Sequence, residues 1–272
     1  MSKKGIRIFS YLPNPRIYKA TIAGRLCNVE VTLRGSSPSE LSDWLWDFDA
    51  LPLNEESKAA NAKFKRKART GFGGDLYKTD RFLSAHPYGT VPAAFDPTGQ
   101  TGVFESNSIM RAVARQSSSG NTVYGRDAFS TSRIDSFLDV SLVFARDSQI
   151  YALALMKKDI TKDVHQKTEE CLHHWLTGIE TALSDTKSYI ADNELTLADI
   201  CFACEYALLC NEKIMSEGLA QLGLEPILGE NVRSKFPRAV KLFDDLVNHP
   251  AFVQDLKPYL EKIDKRAAQA TS

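Results

Sequence analysis

The sequence predicts a small α/β domain followed by an all-helical domain, over residues 1–116 and 122–272. Three observations carry this. Short β-branched or aromatic runs alternate with helix-type segments in the first third; a Ser- and Gly-rich stretch, SSSGN at 117–121, reads as a linker; beyond it apolar residues recur at intervals of three and four. The chain has 272 residues, 43% of them apolar, enough to bury a core in each part, so disorder is excluded as the main state.

Ile6–Tyr11 (IRIFSY) has strand composition, and the Leu12-Pro13-Asn14-Pro15 that follows ends it. Asn14 is a preferred N-cap and Pro15 a preferred first helical residue. A helix therefore starts there and runs to about Leu26, with Ile17, Ala20, Thr21 and Gly24 on one stripe. From Cys27 to Leu33, CNVEVTL alternates apolar with polar, the period of a half-buried strand. Strand, helix and strand in so short a span form a βαβ unit with parallel strands.

Residues 34–82 break the rhythm and read as an insertion. Ser39 can cap a short helix carrying Leu41, Trp44, Leu45 and Phe48, and Glu55–Arg69 reads as a polar helix or a mobile segment. Seven basic residues (Lys58, Lys63, Lys65, Arg66, Lys67, Arg69, Lys78) stand against Asp75 alone, a local excess of six positive charges. GFGG at 71–74 adds flexibility.

From Gly89 a new unit begins. TVPAAF (90–95) and VFE (103–105), joined by the turn DPTGQTG, form an antiparallel hairpin, and SNSIMRAVAR (106–115) forms a helix burying Ile109, Met110 and Val113. Helical spacing then runs through 127–156 (Phe129, Ile134, Phe137, Val140, Leu142, Phe144) and 160–184 (Val164, Cys171, Leu172, Trp175, Ile179, Leu183). Thr196 and Asp199 have the spacing of a capping motif, and the helix they open, to about Asn211, is apolar nearly all round and so buried. A final helical pair covers 236–248 and 250–268.

Thirty-four Lys plus Arg balance 34 Asp plus Glu, which leaves no global field to attract nucleic acid or an anionic membrane. The start lacks the apolar core of a secretory signal, and no run approaches eighteen apolar residues, so the expected location is the cytoplasm. Five scattered cysteines (Cys27, Cys171, Cys201, Cys204, Cys210) fit reduced thiols. Cys201-x-x-Cys204 has no second pair and lies in an apolar helix, which points to packing. His173 and His174 are adjacent and cannot share a helix face as metal ligands do, so no metal is expected.

Four segments together resemble the glutathione transferase superfamily: Gly89-Thr90-Val91-Pro92, Glu105-Ser106-Asn107-Ser108-Ile109, the LTLADI at 195–200, and FPRAVKLFDDLVNHPAF at 236–252. The resemblance implies a thioredoxin-like first domain and a glutathione site on it. Val91, before a cis Pro92, is then expected to exchange main-chain hydrogen bonds with the cysteinyl part of glutathione. Ser106, at a helix start, is expected to hold the γ-glutamyl carboxylate, Glu105 to face the ammonium group, and Lys78 to meet the glycyl carboxylate. The thiolate-stabilising place falls on Asn14 by register, an amide donor at a helix start that cannot act as a base, with Ser10 and Tyr11 as alternates. The competing reading of Asn14 is a structural N-cap alone, which ranks second.

The start PNPRIYKATIAG (13–24) is similar to the transferase domain of the elongation factor one B gamma subunit, to related fungal classes and to bacterial lignin β-etherases. No counterpart of that subunit's additional C-terminal domain is expected here, which lowers the translation-factor reading. Two functions are expected from the resemblance. One is a transferase using the glutathione thiolate on an electrophilic, hydrophobic aromatic substrate, with β-aryl ether cleavage as its sharper form; the other is a non-catalytic binding or assembly module. A disulfide-reducing transferase ranks last, since no Cys stands at the thiol-activating place. Homodimers, or heterodimers with a related chain, are implied. Trp44 and Trp46 either wall the acceptor site or anchor the insertion, and the basic stretch is expected beside the glutathione and acceptor sites as a lid or partner contact.

Overall fold

A computed structural model describes residues 5–68, 72–118 and 120–270 of the chain, which forms two compact units, Met1–Ser118 and Ser119–Ser272. In the first unit, β1 (Ile6–Tyr11), α1 (Pro15–Cys27) and β2 (Val31–Ser36) make the parallel βαβ unit, with Ile6 opposite Val31. The strand β2 starts four residues later than the alternation suggests. Cys27 still belongs to α1, and Asn28, at φ 51, closes the helix in the left-handed conformation. Gly24 permits the tight return, because a Cβ there would come within 2.8 Å of the Val29 carbonyl oxygen.

The insertion departs from its expected form. It builds β3 (Trp44–Trp46), β4 (Leu51–Pro52), a short helix α2 (Glu55–Ala60), β5 (Lys65–Lys67), β6 (Asp75–Lys78) and α3 (Asp80–Ala85). The four strands form a second sheet in the order β4-β3-β6-β5. Trp44 and Leu45 are in a strand rather than a helix. The Trp46 indole N–H donates to the Leu41 carbonyl (2.9 Å), folding the 3-10 turn at 38–43 onto that strand. The polar helix from Glu55 stops at Ala60, and β5 pairs antiparallel with β6 under a diagonal Lys65–Asp75 ion pair of 3.1 Å. Arg69 and Gly71 lie outside the described residues. The insertion is part of the core: Leu41, Trp46, Leu76 and Phe82 form one buried cluster with Phe9 and Phe95.

The hairpin follows as β7 (Ala93–Phe95) and β8 (Gly102–Val103), and α4 (Ser106–Ala114) packs on α1. The first sheet has the order β2-β1-β7-β8, with β7 antiparallel to both its neighbours.

The second unit is helical: α5 (Ala128–Lys157), α6 (Lys162–Ala182), α7 (Leu197–Leu209), α8 (Ser216–Gln221), α9 (Glu230–Lys235), α10 (Pro237–Val247) and α11 (Val253–Ala270). The expected stripe of α5 is displaced. Phe129 (90%), Val140 (47%) and Leu142 (47%) are exposed, while Ile134, Leu138, Ser141, Phe144, Ser148 and Tyr151 face inward. Ser141 sits there because its hydroxyl accepts the Trp175 indole N–H at 3.0 Å, and the Trp175 ring stacks on Phe144. On α6, Val164 and Cys171 are only half-buried, and Thr168 and Leu176 take inward places.

Asp199 at the start of α7 is fully buried and accepts from the main-chain N–H groups of Ile190 and Thr196 and from the Thr196 hydroxyl. Burial pushes its carboxyl up to about 6, against those hydrogen bonds. Cys201 and Cys204 are wholly buried inside α7, and all five cysteines are free thiols. His173 is half-buried against Phe236 while His174 is exposed. Among the described residues no helix is long and apolar enough to cross a membrane.

Candidate functional site

The register of the first sheet brings the expected site segments together. The last β1–β7 pair is Phe9 opposite Ala93. Continuing that register, Pro92 lies level with Ser10 and Val91 with Tyr11, the last residue of β1, after which the chain turns through Asn14 into α1. On the other side β8 leaves the ladder at Val103, two residues before Glu105 and the start of α4. Residues 10–14, 91–92 and 105–106 therefore share one edge of one sheet.

The Val91–Pro92 bond is cis, and so is Leu12–Pro13, which sequence reasoning did not anticipate. Among the described residues the main-chain N–H and C=O of Val91 make no hydrogen bond. An extended peptide laid along this edge would satisfy both, as an added strand does. Gly89 adopts φ 59, and its carbonyl accepts from Lys78 Nζ at 2.6 Å. Lys78 also stands 4.7 Å from the centroid of the Trp46 ring, so its ammonium group is fixed two residues from Val91.

Glu105 is exposed and sits at φ 65, a left-handed conformation that costs a non-glycine residue of order 1 kcal/mol or more. It gives α4 no side-chain cap, so the first-turn N–H at Ser106 is open to an anion. Lys19, buried within α1, donates to Ser106 Oγ (3.3 Å) and to Asn107 Oδ1 (2.8 Å). With its oxygen engaged as acceptor, the Ser106 hydroxyl is left to donate. Sequence reasoning missed Lys19, although its place on the buried stripe of α1 with Pro15 and Ala23 was legible from the spacing.

Asn14 is 1% exposed. Its Oδ1 accepts from the Arg16 N–H (3.0 Å), the N-cap bond, and its Nδ2 donates to Ser10 Oγ at 3.3 Å. Ser10 is fully buried and Tyr11 half-buried against the insertion. Asn14 and Ser10 thus meet each other, and the cap is realised. His86, also unforeseen, is fully buried between Phe82 and Phe104, and neither ring nitrogen has a hydrogen-bond partner among the described residues. Burial pushes its imidazole below the usual value.

The residues fit glutathione: main-chain groups open at Val91, an uncapped helix start at Ser106, and a positioned cation at Lys78. The basic stretch is closer to neutral than its count implies. Lys58 pairs with Asp43 and Glu55, Lys65 with Asp75, and Arg66 with Asp80, two of these acids lying outside the counted segment on its N-terminal side and Asp80 beyond its end. Trp46 anchors the insertion and also lines a cavity of the first unit together with Lys65, Arg66, Lys67, Lys78 and Thr90.

This fold is the glutathione transferase fold, a thioredoxin-like sheet domain followed by a helical unit. A glutathione transferase homologue from Drosophila mojavensis, solved with bound glutathione, superposes with a TM-score of 0.63 at 12% identity over 98% of both chains. By sequence the chain is similar to elongation factor 1-gamma 1 of Oryza sativa subsp. japonica, 29% identical over 177 residues, which is 64% of this chain and 38% of that protein. It is also 29% identical to glutathione S-transferase F9 of Arabidopsis thaliana over 131 residues, 46% of this chain and 60% of that one. No protein-family model matches. The chain has the glutathione transferase fold and is similar in sequence to elongation factor 1-gamma proteins, and it spans about two fifths of the length of those curated relatives.

Proposed function

We propose that the chain binds glutathione along the edge formed by Asn14, Val91 and Ser106 and acts as a cytoplasmic glutathione S-transferase on an electrophilic aromatic substrate, with β-aryl ether cleavage as one such reaction. The observation that carries this is the unpaired main chain of Val91 beside the uncapped start of α4. Glutathione supplies the nucleophilic thiolate. Val91 orients the tripeptide through its N–H and C=O; Ser106 and the α4 first turn hold a carboxylate; Glu105 faces the ammonium group; Lys78 meets the second carboxylate. Asn14 can only donate through its amide, so it stabilises an anion without taking its proton, with Ser10 and Tyr11 as alternates for that role.

Calorimetric titration with glutathione tests the site. Ser106→Ala is expected to weaken binding about tenfold, the loss of one charge-assisted hydrogen bond; no binding by the unaltered protein overturns the reading. Incubation with glutathione and a panel of halo-aromatic and β-aryl ether compounds tests the chemistry. A second reading, an assembly module of the elongation factor one B gamma type, is favoured by the similarity to elongation factor 1-gamma and by an Asn14 amide already engaged in capping. Glutathione binding with no product across the panel supports it, and light scattering separates a monomer from a homodimer or a heterodimer with a related chain.

A further inference from the structure

An ammonium group lies against the start of α4. Lys19 belongs to α1, is only 1% exposed, and is brought to α4 by the packing of the two helices. Its Nζ donates to Ser106 Oγ at 3.3 Å and to Asn107 Oδ1 at 2.8 Å, on the first two residues of that helix. Both acceptors are neutral side chains, so these bonds fix the position of the cation without cancelling its charge. Lysine is almost never buried this far, because taking a charge out of water is costly. The other cation of the site, Lys78, is held by the Gly89 carbonyl at the Val91 end.

The local charge balance gives this cation a task. The dipole of α4 is worth about half a positive charge at its first turn, whereas the Glu105 carboxylate, one residue away from Ser106, is a full negative charge. Helix start and Glu105 together leave an arriving carboxylate beside a net charge of about minus one half, and Lys19 turns that to about plus one half. Range favours Lys19 as well. A carboxylate oxygen accepting from the Ser106 hydroxyl at about 2.7 Å lies within about 6 Å of Nζ, given the 3.3 Å between Nζ and Ser106 Oγ. Glu105 is exposed and its charge is screened by water and salt, while the buried ammonium is screened much less. Resting on glutathione as the ligand of this edge, we infer that Lys19 is the positioning cation for the γ-glutamyl α-carboxylate, acting through Ser106. It makes the site selective for a terminus that carries this carboxylate together with an ammonium group for Glu105.

Calorimetric titration of the full chain compares glutathione with 4-aminobutyryl-cysteinylglycine, which keeps the ammonium group and lacks only the α-carboxylate. The unaltered protein is expected to prefer glutathione by at least about tenfold. Lys19→Met, apolar and of similar length, is expected to lose about tenfold for glutathione and less than about twofold for the analogue. Lys19→Gln keeps a donor for Ser106 without the charge and is expected to lose nearly as much. Parental affinity in Lys19→Gln gives the effect to the hydrogen bond and overturns the charge role. Equal weakening of both peptides in Lys19→Met makes Lys19 merely structural and overturns the assignment, as does parental affinity for glutathione. Asn107→Ala keeps the question decidable if Lys19→Met does not fold. It removes the 2.8 Å acceptor that holds the ammonium group at Ser106 and is expected to cost about threefold for glutathione and nothing for the analogue; no effect there overturns the role. Absence of glutathione binding by the unaltered protein overturns the transferase site and this role with it, whereas binding indifferent to Lys19 overturns this role alone.

Discussion

Asn14 holds two roles that substitution can separate. Asn14→Ala removes the N-cap bond to the Arg16 N–H, a loss of about 1 kcal/mol, and leaves the fully buried Ser10 hydroxyl without its amide partner, about 1 kcal/mol more. The sum, about 2 kcal/mol, lowers the thermal midpoint by roughly 4–8 °C for a chain of this size. Asn14→Ser keeps a capping oxygen and should recover about half of that loss, yet it lacks the amide donor. Circular dichroism melting measures stability, and ultraviolet titration of the bound thiol measures its ionisation. If the amide serves the thiolate, Asn14→Ala raises the thiol pKa by about one unit, the worth of one charge-assisted hydrogen bond, and Asn14→Ser, whose hydroxyl still donates, raises it by less. A melt of Asn14→Ala within 1 °C of the parent refutes the capping argument. An unchanged thiol pKa in both variants, combined with a shift in Ser10→Ala or Tyr11→Phe, moves the role to that residue.

Three further outcomes are expected. Gly89→Ala places a Cβ 2.9 Å from Leu83 Cδ2 at φ 59 and should cost about 1–2 kcal/mol in urea denaturation; an unaltered midpoint refutes the need for glycine there. Asp199 has its folded carboxyl raised to about 6 from an ordinary 3.8, so the folded state binds the extra proton and stability falls as pH rises through that interval. Asp199→Asn should flatten that slope in melts taken across the interval, and a slope equal to the parent's refutes the assignment. His86 has the opposite sign. Its imidazole is depressed, so stability is present above the unfolded value of about 6.5 and is lost as pH falls below it. His86→Phe should leave the midpoint at neutral pH unchanged or higher, because no hydrogen bond is broken, and should remove the acid sensitivity; a loss above about 1 kcal/mol at neutral pH refutes the unpartnered reading.

What could be read from the sequence was what local chemistry decides. Asn14-Pro15 announces a helix start, CNVEVTL a strand, and Thr196 with Asp199 a capped helix, because each signal lies within a few residues of its effect. The strand came late only because Asn28 could take the left-handed cap that keeps Cys27 helical. What could not be read depended on distant partners. Ser141 takes an inward place among apolar residues because Trp175, on another helix, needs an acceptor for its indole N–H. Lys65, Arg66 and Lys67 look like a solvated run until Asp75–Lys78 supplies a strand to pair with.

The candidate site divides along the same line. Val91, Glu105 and Ser106 came from contiguous motifs, whereas Lys19 meets Ser106 from 87 residues away and the Lys78–Gly89 contact spans a helix and a turn. The insertion couples these two kinds of information physically. Trp46 is fully buried against Phe9 of the first sheet, and its ring also supports Lys78, whose ammonium group holds the Gly89 carbonyl two residues before Val91. The extra residues are therefore not an appendage to the sheet edge. They set the position of a cation beside it, and any change that loosens the Trp46 packing should reach the Val91 main chain through Lys78.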